Sequence, residues 1–338
     1  MIIDELYVCR WKEEGAIPKT MPLKKVSNES VSEEYKREEI LPVKAARQPM
    51  IQWVISDPKY TLDDLILDTE TTTQLLDVIS YFKNRELLFQ CWGLSEKFFS
   101  QSSMAVNLYG PPGTGKTVAA HAIVHELQSK MICVDYAEIE SKYVGETSKN
   151  LTRLFQLAEK EGAVIFFDEA DALLSKRVTN MTSATDVSVN QTRSVLLNLL
   201  NQYQGVIIFA TNFIQNFDPA FLRRIKYHVQ FHLPDEALRE QLWKMYIPQK
   251  MPCEVDCNAL AKQYSGISGS DIANAVFTAA VGAARDGEKV VAQKRFETAI
   301  QRCLAVKEAN QRGQVIVSKR ILSEDEVKEK LGAEGYNK

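Results

Sequence analysis

The eight residues Gly110-Pro111-Pro112-Gly113-Thr114-Gly115-Lys116-Thr117 constrain this chain more than any other stretch. An apolar run, Met104-Ala105-Val106-Asn107-Leu108-Tyr109, precedes them, and a run of helix-compatible residues beginning at Val118 follows. A strand passing through a glycine-rich turn directly into a helix is the setting of a phosphate-binding P-loop. Gly113 and Gly115 open backbone conformations closed to other residues, so that successive N–H groups can converge on one anion. The helix beginning near Lys116 adds the positive end of its dipole to that cradle. Lys116 would reach the β- and γ-phosphates of a nucleotide, and the Thr117 hydroxyl would bind Mg²⁺. The complete Gly-x4-Gly-Lys-Thr spacing in this context predicts a nucleotide-binding protein.

The length of 338 residues suggests about two domains. A net charge of −3 provides no overall basic field for nucleic acid, although a local patch could still form. No apolar run approaches the length of a membrane span, and Met1-Ile2-Ile3-Asp4-Glu5 does not open a secretory signal. The scattered cysteines Cys9, Cys91, Cys133, Cys253, Cys257 and Cys303 read as reduced thiols, which points to the cytoplasm. Cys253 and Cys257 lie close together but have no second pair and no nearby histidines, a weak basis for a metal site.

Residues 1–58 are expected to form an N-terminal arm or adaptor, because 19–47 are charged, proline-punctuated and poor in periodic apolar positions. Over 59–233, helix and strand signals alternate. Apolar runs at 104–109, 131–134, 163–167, 206–210 and 227–231 predict five strands of a doubly wound α/β sheet. After Pro234 the strand signals stop. Helical patterns at 235–246, 257–264, 270–285 and 291–305 predict a small α-helical domain over 234–306, followed by a tail over 307–338. Ala273, Val276, Phe277, Ala280 and Val281 form an apolar face there, and core packing is the expected explanation.

Val164-Ile165-Phe166-Phe167-Asp168-Glu169 places two carboxylates at the C-terminal end of a buried strand, the edge where open α/β sheets bind ligands. Asp168 would help hold Mg²⁺, and Glu169 would polarise the water that attacks the γ-phosphate. Asn212 ends the next apolar strand, where its side chain could orient that water. Arg223 and Arg224 follow a short apolar helix segment. Since Lys116 already provides a cation in cis, these arginines suit a phosphoryl-transfer site completed in trans.

In this order, and with a helical domain after them, these motifs resemble the AAA ATPases of the AAA+ superfamily, from about Tyr60 to Leu304. The resemblance implies a P-loop AAA+ fold, a doubly wound parallel five-stranded sheet followed by an α-helical lid, with ATP and Mg²⁺ as ligands. By that resemblance Gly110 to Thr117 correspond to Walker A, with Val118 also at the nucleotide, and Asp168-Glu169 to Walker B. Asn212 corresponds to sensor 1, and Arg223 and Arg224 to arginine fingers reaching a neighbouring subunit. Gly269 and Ser270 open a lid helix near the nucleotide, and Ile66 and Leu67 flank the adenine ring. Glu140-Ser141-Lys142-Tyr143-Val144-Gly145-Glu146 resembles the family's pore loop, with Lys142, Tyr143 and Val144 gripping a polypeptide. The expectation is a homo-oligomeric ring, a hexamer, that hydrolyses ATP and threads a protein substrate. Among the family's single-module members, the remodellers of HORMA-domain proteins in bacterial anti-phage systems are the favoured relatives. A nucleic-acid motor or loader is the rival reading. It should carry basic pore loops, whereas here Lys142 is balanced by Glu140 and Glu146. A nucleotide-gated scaffold would have lost Glu169 or the arginines, and both are present.

Overall fold

The computed structural model describes residues 53–97, 104–135, 146–176 and 184–313. The chain divides into a unit of residues 1–50 and a unit of residues 51–338, and every described residue belongs to the second. Its centre is a sheet of β1 (Ile55–Ser56), β2 (Met104–Tyr109), β3 (Met131–Asp135), β4 (Val164–Asp168), β5 (Val206–Thr211) and β6 (Tyr227–Gln230). The strand order is β1-β3-β4-β5-β2-β6, and every pairing except that of β1 with β3 is parallel. Strands covered on both faces need apolar side chains in both directions, which is why β4 and β5 read as unbroken apolar runs.

Helices α1 (Thr69–Lys83) and α3 (Lys116–Glu126) pack on one face of the sheet. There Leu75, Val78, Ile123 and Val124 meet Val106, Leu108, Phe166 and Ile208. A π-helical turn (Leu87–Cys91) and the short α2 (Leu94–Lys97) lead from α1 toward β2. On the other face lie α4 (Glu146–Glu161), α5 (Asp171–Leu174) and α6 (Ala184–Gln202). Leu151, Leu154, Leu196 and Leu200 there cover Ile165, Phe167, Ile207 and Phe209. The one-turn helix α7 (Pro219–Leu222) joins the same core through Phe221.

The lid comprises α8 (Glu236–Tyr246), β7 (Cys253–Glu254), α9 (Cys257–Gln263), α10 (Gly269–Arg285), β8 (Val291–Ala292) and α11 (Gln293–Gly313). Trp243, Leu260, Ile272, Val276, Phe296 and Ile300 form its own core. Its helix starts are set by side-chain caps: Asp235 accepts the Leu238 amide, and Ser268 and Asp271 cap each other at the start of α10.

Four sequence expectations are corrected. A sixth, antiparallel strand at Ile55–Ser56 extends the expected five-stranded sheet, although those residues were read as part of the arm. Strand structure does not stop at Pro234, because β7 and β8 pair in parallel within the lid. Core packing also does not account for the whole apolar face of α10. Val276 is buried, but Phe277 is 70% and Val281 51% exposed. A helix wholly apolar over two neighbouring stripes can bury only the one that meets the lid core. The last helix runs on to Gly313, past residue 306. No helix among the described residues is long and apolar enough to cross a membrane.

Candidate active site

The turn after β2 is shaped by glycines at positive φ: Gly110 at 146°, Gly113 at 76° and Gly115 at 99°. Two of them are also forced by close contacts. A methyl group on Gly110 would lie 2.2 Å from the Phe231 carbonyl oxygen, and one on Gly113 would lie 1.9 Å from Ser270 Oγ. The Gly113 carbonyl accepts the Ser270 amide at 3.2 Å, so the loop is bonded directly to the first turn of the lid helix α10.

Between the loop and the lid lies a cleft of about 350 Å³. Pro112, Gly113, Thr114, Gly115, Lys116, Thr117 and Val118 line it from the loop side, Asp168, Glu169 and Asn212 from the strand ends, and Gly269 and Ser270 from the lid. Ile66 and Leu67 line it from the linker, Ile66 packing against the lid core and Leu67 against the sheet core. Gly110 and Pro111 lie behind the loop and contribute backbone carbonyls.

Lys116 is 8% exposed. Its Nζ donates to the Gly110 carbonyl at 2.8 Å, the Pro111 carbonyl at 2.9 Å and Asn212 Oδ1 at 3.0 Å. Burial pushes its pKa below the usual lysine value, while Asp168 and Asp171 act against that shift. Thr117 Oγ1 donates to Asp168 Oδ2 at 2.9 Å, and the other Asp168 oxygen accepts the Glu169 amide. A hydroxyl and a carboxylate oxygen side by side at the mouth of the phosphate cradle form the hard-oxygen donor set that Mg²⁺ prefers, so these residues fit that ion. Glu169 takes φ 49°, a left-handed conformation uncommon outside glycine, and this lies at the turn from β4 toward α5.

Asp171 has a role that no sequence motif marks. Its carboxylate accepts the Asn212 amide at 3.0 Å and the Phe213 amide at 3.0 Å. It thereby fixes the turn from which the Asn212 side chain meets Lys116. The cleft also contains Leu238, Leu242 and Tyr246, one stripe of α8 at helical spacing, which sequence reading had placed only in a generic helix.

Arg223 and Arg224 are not brought into this cleft. Arg224 Nε donates to Asn201 Oδ1 at 2.9 Å and one terminal nitrogen to the Ala220 carbonyl, while Arg223 is exposed at the end of α7. Lys142, Tyr143 and Val144 lie outside the described residues.

The ATPase family associated with various cellular activities (AAA) matches residues 106–233. A 26S proteasome regulatory subunit 8 homolog of Encephalitozoon cuniculi is 32% identical over 282 residues, 81% of this chain and 70% of that protein. The corresponding subunit 8 homolog of Saccharomyces cerevisiae is 32% identical over 281 residues, 80% of this chain and 67% of that protein. A proteasome-activating nucleotidase of Methanopyrus kandleri is 31% identical over 278 residues, 80% of this chain and 62% of that protein. The chain thus spans about two thirds of the length of these relatives. With a glycine loop bonded to a helical lid, and a lysine, two carboxylates and an asparagine converging beneath it, the chain belongs to the AAA family and is an ATPase.

Proposed function

We propose that this protein assembles head to tail into a ring, a hexamer, and uses ATP hydrolysis to remodel or unfold another protein threaded through the pore. The observation that carries the assembly is the location of the arginines. One chain gathers Lys116, Thr117, Asp168, Glu169 and Asn212 around its cleft yet leaves Arg223 and Arg224 outside it. A site that lacks its second cation within one chain is completed by a neighbour, and heterologous contacts of that kind close into rings when the rotation between subunits permits.

The cleft's residues divide the chemistry between them. The loop amides and Lys116 bind the phosphates, and Ile66, Leu67, Leu238 and Tyr246 enclose the base. Thr117 and Asp168 would hold Mg²⁺, which offsets charge on the phosphates when bound. Glu169 takes the proton of the attacking water, and Asn212, released from Lys116, orients that water. Arg223 and Arg224 from the neighbour stabilise the charge that develops as the γ-phosphate leaves. Loss of that phosphate changes the contact between Gly113 and Ser270 and so tilts the lid.

The relatives' names, a proteasome-activating nucleotidase and proteasome regulatory subunits, support a polypeptide as the substrate. Lys142, Tyr143 and Val144 are the proposed grip on it. A HORMA-domain protein of an anti-phage system, met in the cytoplasm, is the specific substrate to test. The experiment is a pull-down with the Glu169→Gln protein in ATP, followed by mass spectrometry of what the ring retains. A folded protein retained by Glu169→Gln, and lost when Tyr143→Ala is added, is expected. Retention of nucleic acid alone would favour a motor, and wild-type turnover by Glu169→Gln would remove the general base.

A further inference from the structure

A polar row, buried at Asn107 and Thr211 and half-buried at His228, crosses the sheet behind the cleft. Asn107 lies in β2, Thr211 ends β5 and His228 lies in β6, in a sheet otherwise filled with apolar side chains. Strand alternation puts all three on one face. Asn107 has the parity of Ala105, and Thr211 that of Phe209, both in the core that also holds Phe221 and Ile225. His228 has the parity opposite to Val229, which packs on the other face.

Asn107 is 0% and Thr211 1% exposed. Thr211 Oγ1 donates to Asn107 Oδ1 at 3.1 Å. That bond leaves the Asn107 amide nitrogen, a donor, buried without a partner, and His228 Nδ1 is likewise buried without a partner. The two residues are register partners across the parallel β2–β6 pair. On its far side the imidazole faces the backbone carbonyls of Leu222 and Ile225, the residues that bracket Arg223 and Arg224. A buried amide and a half-buried imidazole with a buried, unpartnered nitrogen are costly where an aliphatic residue would pack, so their presence calls for a use.

We propose that Asn107 and His228 are positioning residues that couple the Thr211–Asn212 turn to the segment carrying Arg223 and Arg224. The neutral imidazole, protonated on Nε2, donates toward the carbonyls flanking the arginines, and its unpartnered Nδ1 acceptor and the unpartnered Asn107 donor sit at register positions where a small shift of β6 against β2 would join them. Thr211 closes the other end of the row, one residue before the side chain that meets Lys116. A change in what Asn212 contacts thus shifts the arginines presented to the next subunit, and the structure of one active site biases its neighbour's. The inference rests on the reading of the arginines as groups acting in trans.

The test is steady-state ATP turnover together with titration of a fluorescent ADP analogue. Asn107→Leu and His228→Phe are each expected to lower kcat at least tenfold while the analogue's Kd stays within threefold, with the double variant no slower than the slower single. His228→Gln, whose amide N–H replaces the Nε2 donor, is expected to recover most of the rate. Asn107→Leu added to Arg224→Ala is expected to cost nothing further. Turnover within twofold of wild type in Asn107→Leu would overturn the coupling, as would multiplicative losses in the double variant. Should His228→Phe fail to fold, Asn107→Leu and His228→Gln decide the matter. Arg224→Ala alone separates the two claims: undiminished turnover there overturns the arginine reading, whereas a loss there with normal turnover in Asn107→Leu overturns only the coupling.

Discussion

Replacing Gly113 by alanine tests the joint between loop and lid. The backbone there stands at φ 76°, so an L side chain would be held in the left-handed region, at a cost of roughly 1–2 kcal/mol. The added methyl group would lie 1.9 Å from Ser270 Oγ and 2.7 Å from Ser268 Oγ, so both serines must leave their rotamers. Each such displacement costs on the order of 0.5–1.5 kcal/mol. Ser268 also caps α10 by accepting the Asp271 amide and donating to its carboxylate, so moving it weakens a cap worth about 1 kcal/mol. The total is about 3–6 kcal/mol, and at roughly 2–4 °C per kcal/mol the melting temperature should fall by about 6–24 °C. Calorimetry of the nucleotide-free protein measures this. Adding Ser270→Gly to Gly113→Ala removes the nearest obstacle and should recover about 1 kcal/mol, a coupling absent when Ser270→Gly is made in the wild type. A Gly113→Ala protein melting within about 2 °C of wild type would refute the reasoning, as would strictly additive effects.

Asp171→Ala removes a carboxylate that accepts two backbone amides of the Asn212 turn. Bonds to a charged group are worth about 1.5–3 kcal/mol, so the denaturant midpoint should fall accordingly and turnover should drop with it. Retained wild-type turnover would show that the turn keeps its place unaided. His121 Nδ1 accepts the Lys59 amide, and burial, followed by the Lys59 charge, holds its pKa below the ordinary histidine value. The unfolded chain therefore binds that proton first, and the stability His121 contributes is full above the unfolded pKa of about 6.5 and declines as pH falls below it. In His121→Gln the loss of melting temperature between pH 7.5 and pH 5.5 should be smaller than in wild type. An equal loss in both proteins would remove His121 as a source of acid sensitivity.

The parts of the fold that were legible in the sequence are those whose signals are local and long. The run from Met104 through Lys116 specifies strand, turn and helix in one continuous stretch, and the lid helices carry a clear period. β1, β7 and β8 have two residues each, too few for alternation to register, and they exist because partners distant in sequence offer an edge. Phe277 shows the limit of periodicity, which detects an apolar stripe without telling which stripe of a helix stays wet. At the site, Lys116, Asp168, Glu169 and Asn212 could be named because spacing along the chain reports their type and order. The role of Asp171 could not, since its amide partners lie more than forty positions along the chain and meet it only through the packing of α5 under β5. The arginines were legible as a pair, whereas their separation from the cleft is a property of the folded chain.

The three bonds of the Lys116 ammonium make phosphate binding an exchange rather than a capture. The Gly110 carbonyl, the Pro111 carbonyl and Asn212 Oδ1 already hold that charge. An arriving anion must displace them, so a ligand is graded by how much better it satisfies the ammonium than the protein's own oxygens do. Short or weakly charged ligands compete poorly by that measure, and a full triphosphate competes well. The same displacement would free the Asn212 side chain, so the arrival of a nucleotide is passed from the loop to the end of β5 through one side-chain contact.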